Sequence, residues 1–514
     1  MERDDRAGRI QDILTERVLN TEVSAEVTIP DYKPELRRLL RVRATALPTD
    51  RYIGAGTAEV SGPVELEALY AADDGSLWCV CERTEYRFSM PFERGEDFSA
   101  AEGILCEVFP ETEAAVGRVS APRRLTLRCR VRARVCLYAV RELNARFDAE
   151  RESSEVLCGE LTAVHRFFGE SAPVRLSDEV IPEVPEVRVI CARADVFPGE
   201  AQTGSGSVRC RGEVCLNLLC AAETPGEESG TAPVFTVQRR IPFAEDVPVD
   251  GVEVNCLCAF TGICTEVSVT VEDGRILCET TCVLSAHAVR NETVAYLKDA
   301  YSTARESESA CRTDEASGVV CCRNGNFSLT ANLTLSQAGI PKDGEAADAT
   351  ATVTLSQAEA IRGNWTIPGT ARIRVLVRSG NEWTTAEMEI PFRYEIPDAG
   401  AADERVVSEA EAVPVSVRTR IDGERVSVEA ELGMTVLLRN VREYSVLASV
   451  REGAPVARQG AVCTVCYPGS GDTLWSVAKR YRVPVNAIGQ RNRLPDSPAA
   501  DAPDSLAGVR FLIL

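Results

Sequence analysis

AEVSGPVELEALY, residues 58–70, puts Val60, Val64, Leu66, Ala68 and Tyr70 on one face of an extended chain. Alternation of this length argues for a half-buried β-strand. The pattern returns as VRCRGEVCLNLLC at 208–220, with Cys210, Val214, Leu216, Leu218 and Cys220 in phase. It returns again as WTIPGTARIRVLV at 365–377, with Ile367, Ala371, Ile373, Val375 and Val377. Gly62, Gly212 and Gly369 occupy the same place in each copy. A glycine inside a strand marks a bulge or a close backbone approach.

Working outward, each copy is followed by a short apolar run ending in Pro-Phe: Pro91-Phe92, Pro242-Phe243 and Pro391-Phe392. A near-constant period of about 150 residues is the signature of tandem units. Gly54 and Gly204 mark matching hairpins upstream, and Asp273-Gly274 and Asp422-Gly423 read as matching hairpin turns downstream. The first copy has APRRLTLRCRVRARVCLYAV in that downstream place. Polar stretches such as ARFDAERESSE and AYSTARESESACRTDEASG read as the sequence between copies. The expected organisation is a helical segment at 1–20, β-rich units at 21–150, 172–300 and 320–452, and a small module at 459–514.

The chain has 514 residues, 45% of them hydrophobic, enough for several cores. Its formal net charge of −21 argues against nucleic-acid binding and against attraction to anionic lipid. The charged start MERDDR is followed by no apolar run of export-signal length, so synthesis and residence in the cytoplasm are expected. No stretch reaches the roughly 20 apolar residues of a membrane-spanning helix. The twenty cysteines sit largely in apolar strands and read as reduced core thiols.

Val465 to Leu514 reads as strand, helix, helix, strand. Asp472 or Thr473 stands where a helix N-cap belongs, and Leu474, Val477, Ala478 and Tyr481 share a helix face. Trp475 reads as a core residue. Catalytic groups are scarce: His165 and His287 are the two histidines, His165 has no evident partner, and His287 reads as a core or edge residue. No phosphate-binding loop occurs. Cys463 and Cys466 form a CxxC without a second pair, and Cys79/Cys81 and Cys256/Cys258 have the spacing of same-face strand neighbours. No enzyme activity, metal or cofactor is expected. Arg128, Arg130, Arg132 and Arg134 form a basic ladder on one strand face. It reads as a face matched by cross-strand carboxylates or as a dock for an acidic partner.

IPDYKPELRRLLRV, then GAGTAEVSGPVELEALY, then MPFE resembles the SPOCS domain, found in tandem in proteins of endospore-forming bacteria. The C-terminal fifty residues resemble a LysM module. SPOCS-like sequence followed by a C-terminal LysM is similar to the SipL-type spore coat morphogenetic proteins. The resemblance implies a mainly β chain of three SPOCS-like repeats and a βααβ LysM module. It implies a non-enzymatic scaffold that assembles in the mother cell and ends in the spore coat at the forespore surface. Spore coat proteins, among them a SpoIVA-type morphogenetic ATPase, are the implied partners, with an N-acetylglucosamine glycan as the other ligand. The family groove maps onto Gly471, Asp472, Thr473 and Leu474 on one side, and Leu494, Pro503, Asp504, Ser505 and Leu506 on the other. Two other readings are a peptidoglycan-binding wall protein exported by a non-classical route and a wall hydrolase targeted by its LysM.

Overall fold

The computed structural model describes residues 8–54, 56–92, 104–143, 153–184, 186–223, 232–397, 405–456, 463–494, 506 and 509–514. Among them the chain is mainly β, with a small helical module at the C-terminal end.

The first unit comprises β1 (Arg9–Thr28), β2 (Leu36–Ala46), β3 (Asp50–Ile53), β4 (Thr57–Ala72), β5 (Leu77–Pro91), β6 (Leu105–Ala121) and β7 (Arg124–Glu142). One antiparallel sheet runs β1-β7-β6, and the other centres on β4, flanked by β2, β3 and β5. Val60, Val64, Leu66, Ala68 and Tyr70 on β4 are buried against Leu125, Leu127, Val131 and Val135 of β7, making a sandwich core.

The second unit repeats the plan with β8 (Ser154–Glu170), β9 (Val174–Val180), β10 (Val187–Thr203), β11 (Ser207–Ala222), β12 (Val234–Pro248), β13 (Leu257–Glu272) and β14 (Arg275–Ser302). Here β10-β11-β12 is one sheet, and β13-β14-β8 with β9 is the other. The third has β15 (Arg305–Thr334), the one-turn α1 (Leu335–Ala338), β16 (Glu345–Leu355), β17 (Glu359–Ile361), β18 (Asn364–Ser379), β19 (Glu382–Glu395), β20 (Val406–Asp422) and β21 (Arg425–Pro455). Its sheets are β15-β21-β20 and β16-β18-β17, with β19 also on β18.

Each unit opens with a long strand that pairs across its own C-terminal hairpin. Four expectations are corrected. The segment expected to be helical at 1–20 is strand from Arg9, paired residue by residue with β7. The polar stretch between the second and third units is the end of β14 and the start of β15, separated only by Thr303 and Ala304. The Pro-Phe pairs are not equivalent in all units. Gly212 faces Phe243 and Gly369 faces Phe392, whereas Gly62 faces Tyr86, six positions before Phe92. These glycines make room for the ring: a Cβ at Gly212 would lie 2.9 Å from Phe243. The downstream turns also differ by one residue. Glu272 pairs with Arg275 around Asp273-Gly274, but Asp422 pairs with Arg425 around Gly423-Glu424.

The three sandwiches close on one another in a cycle. Strand β5 meets β10, β12 meets β16, and β19 meets β2, so each unit offers one sheet edge to the next. Arg188 donates to the Leu77 carbonyl at 3.1 Å, Thr236 to the Ala347 carbonyl at 3.1 Å, and Trp383 Nε1 to the Gly75 carbonyl at 2.9 Å. On the axis, Leu69, Leu219 and Leu376 share one apolar cluster with Leu40, Ile190, Leu77 and Trp383. These leucines pair in register with Arg41, Cys191 and Asp348, each just after a bulge. The whole is a pseudo-threefold arrangement of one repeated sandwich.

All twenty cysteines are unpaired, and most are buried. No helix among the described residues is long and apolar enough to cross a membrane.

Candidate functional site

Beyond the third unit lie β22 (Val465–Cys466), α2 (Leu474–Tyr481), α3 (Val485–Asn492) and β23 (Leu512–Ile513). Strands β22 and β23 pair antiparallel, so the module is βααβ. Thr473 is the N-cap of α2: its hydroxyl accepts from Ser476 N at 3.1 Å, and the Ser476 hydroxyl accepts from Thr473 N at 2.9 Å. Val477, Ala478, Ile488 and Leu512 are fully buried and form the module's small core. Tyr481, expected on the same buried face, is exposed.

The loop entering α2 is held in shape. Gly471 has φ +93°, which an L side chain rarely adopts. The Asp472 carboxylate accepts from Gly469 N at 2.9 Å and pairs with Arg480 at 2.6 Å. Arg480 first, then the Gly469 amide, hold that carboxyl below its usual range. Leu474 and Leu494 pack half-buried against the cluster in which Leu506 is buried. Gly471, Asp472, Thr473, Leu474, Leu494 and Leu506 thus belong to one small module, while Pro503, Asp504 and Ser505 lie outside the described residues.

Residues 469–497 match the LysM domain. No curated protein and no solved structure matches the chain. Nothing in these comparisons supports the likeness of the β units to the SPOCS domain or of the chain to the SipL-type proteins. The LysM domain supports peptidoglycan or glycan binding in general.

The LysM domain is docked on the far end of β14. Asp299 accepts from Trp475 Nε1 at 2.9 Å and from Lys479 Nζ at 2.6 Å, and Lys479 also donates to Ser309 at 2.8 Å. Tyr301 donates to the Val483 carbonyl at 2.7 Å, and its ring meets Trp475 edge-on at 5.0 Å. Burial opposes ionisation of Asp299, but Lys479, Trp475 and Ser309 overcome it and hold the carboxyl below its usual range. Trp475 is therefore buried as expected, in a seam between two parts of the molecule. Asp299 and Tyr301 were missed because they straddle the expected end of the second unit at residue 300, where the polar stretch between copies begins.

Each arginine of the basic ladder has a carboxylate within 4 Å. Arg128 meets Glu22 at 3.8 Å, Arg130 and Arg132 meet Glu113 at 3.8 and 3.7 Å, and Arg134 meets Glu16 at 3.5 Å. The ladder is a charge-matched strand face. His165, for which the sequence shows no partner, lies 3.6 Å from Glu292. Burial, with Arg290 nearby, outweighs that carboxylate and lowers the imidazole pKa. His287 is half-buried on β14 and meets Glu107 at 3.6 Å.

Two clusters of charge sit where the units join. At the axis, Asp348 accepts from Arg41 at 2.7 Å and from Arg193 at 2.8 Å. In the other, Arg166 reaches Glu409 at 2.6 Å and Glu107 at 3.5 Å, and Arg439 reaches Glu409 at 2.7 Å. Burial works against the Glu409 carboxylate, yet Arg166, Arg439 and Arg134 bring its pKa down to about 2. Cys79 and Cys81, taken from spacing as packing residues, divide: Cys79 is buried and Cys81 is exposed. With Glu67 they place three ligand-type atoms within 4.8 Å of one another.

Proposed function

We propose that the chain is a non-enzymatic scaffold of a bacterial envelope layer. Its three-unit body carries a LysM domain that reads a glycan containing N-acetylglucosamine. The observation that carries this reading is the LysM match at 469–497 on a module tied to the body through Asp299. The docking face uses Trp475, Lys479 and Val483, leaving the Gly469–Thr473 loop on another part of the module. A tethered reader of this kind positions a large body on a polymer.

The spore-coat setting rests on the resemblance of 29–42, 54–70 and 90–93 to the SPOCS domain. On that resemblance the chain acts in the mother cell and at the forespore surface, with a SpoIVA-type ATPase among its partners.

The test is retention of the intact chain on purified peptidoglycan, with titration by chitin oligomers. Saturable binding is expected, weakened about tenfold by Asp472→Ala, which removes two charge-assisted hydrogen bonds from the loop. A folded chain that ignores both glycans but binds a SpoIVA-type ATPase would move the domain from sugar to protein recognition.

A further inference from the structure

Strands β4 and β5 place Glu67 directly opposite Cys81, with Cys79 two residues back on the same face of β5. The equivalent pair in the second unit is Asn217 opposite Gln238, and in the third Arg374 opposite Glu387. Those two pairs satisfy themselves. Gln238 donates to Asn217 at 2.9 Å, and Arg374 meets Glu387 at 3.0 Å. The first unit departs from this. Glu67 is 8% exposed, and its Oε1 has no hydrogen-bond partner among the described residues. The nearest cation, Arg41 Nη2, is 3.8 Å away, beyond hydrogen-bonding distance. A buried carboxylate oxygen without a hydrogen bond is costly. Here it points into a group with two thiols.

We propose that Glu67, Cys79 and Cys81 bind a thiophilic divalent cation of the zinc class at the seam between the first and second units. The separation fits. The three atoms lie within 4.8 Å of one another, and tetrahedral zinc with thiolate ligands needs about 3.7 Å. Small side-chain rotations close that difference. Two thiolates and one carboxylate fill three positions, and Cys81, being exposed, leaves the fourth to water. Cys191 stands beside Cys79 but is held by Arg41 at 3.9 Å and is not counted as a ligand.

Charge balances as well. Arg41 and Arg193 face Asp348 and Glu67, so the seam is neutral when empty. Loading a cation of charge two displaces the two thiol protons to solvent, and the seam stays neutral. Because two protons leave, binding strengthens as pH rises.

The probe is cobalt(II), titrated into the chelator-stripped full chain, with zinc as competitor. One equivalent should give a thiolate-to-cobalt charge-transfer band that zinc abolishes. Cys81→Ser, at an exposed position, should weaken binding at least about tenfold without unfolding the chain. Glu67→Gln should weaken it while keeping the band. Cys463→Ser, in the CxxC of the LysM domain, should change nothing. Absence of the band at one equivalent overturns the proposal. So does a band that survives in Cys81→Ser and disappears in Cys463→Ser.

Discussion

At the residue scale, the pseudo-threefold axis poses a problem that duplication alone cannot solve. Three copies of one side chain meet there, and three like charges in a buried place repel. The equivalent residues are Arg41, Cys191 and Asp348, one positive, one neutral and one negative. The difference at that position lets opposite charges meet where like charges would repel. Asp348 serves two guanidinium groups, each almost wholly buried. Asp348→Ala would leave Arg193 without its counter-charge and Arg41 with only Glu67 at 3.8 Å, and removing one partner of a buried pair costs about 3–5 kcal/mol. The expected result is a loss of that size in unfolding free energy, read as a lower denaturant midpoint. Replacing Arg41, Arg193 and Asp348 together with leucine, and Glu67 with glutamine, should restore most of it, because that seam carries no unpaired charge. If Asp348→Ala leaves the midpoint unchanged, the axis cluster does not hold the units together.

At the element scale, β14 does two jobs. Its first half closes the second sandwich, and its last residues, Asp299 and Tyr301, hold the LysM domain. Asp299→Ala removes the acceptor for Trp475 and Lys479 together. The undocked domain should be cleaved by trypsin at Lys479 and Arg480 at least about ten times faster, because cleavage follows the population of the open form. The melting of the three-unit body should not move. Equal cleavage of both proteins would show that the docking contributes nothing in solution. Strands such as β4, β11 and β18 were legible in the sequence because one face of each is wholly apolar. The start of β15 was not, since its residues run between exposed and half-buried and carry serine, arginine and glutamate, and the end of β14 was not, since Ala300, Tyr301 and Ser302 are buried in a row rather than in alternation. Backbone pairing with β8 and β21 makes them strands, and side-chain pattern does not report it. β1 misled for a related reason: ILTERVL has helical spacing, and pairing along β7 overrides it. In the LysM domain, the N-cap of α2 at Thr473 was legible from the sequence. The clustering of Glu67 with two cysteines was not, because it depends on which residue of β4 faces which residue of β5.

At the scale of the whole molecule, the sandwiches and the seams between them are held by different forces, so acid should separate them. Each sandwich core is apolar and does not titrate. The seams rest on Asp348 and Glu409, whose carboxyl groups are held below their usual range by buried arginines. A carboxylate with a lowered folded pKa contributes stability above its unfolded pKa of about 4.3 and loses it as pH falls through the folded value. For Glu409, whose pKa is about 2 in the folded chain, the contribution at neutral pH is about 3 kcal/mol. Between about pH 4 and pH 2 the units should therefore part before their cores melt. The radius of gyration should rise while the far-ultraviolet β signal persists, and near-neutral pH should reverse both. Salt should do little at neutral pH, because the pairs are buried and screening acts on exposed charge. A chain equally compact at pH 3 and pH 7 would mean that apolar contacts such as those around Leu69, Leu219 and Leu376 suffice to hold the units together, leaving the charges only the task of selecting which faces meet.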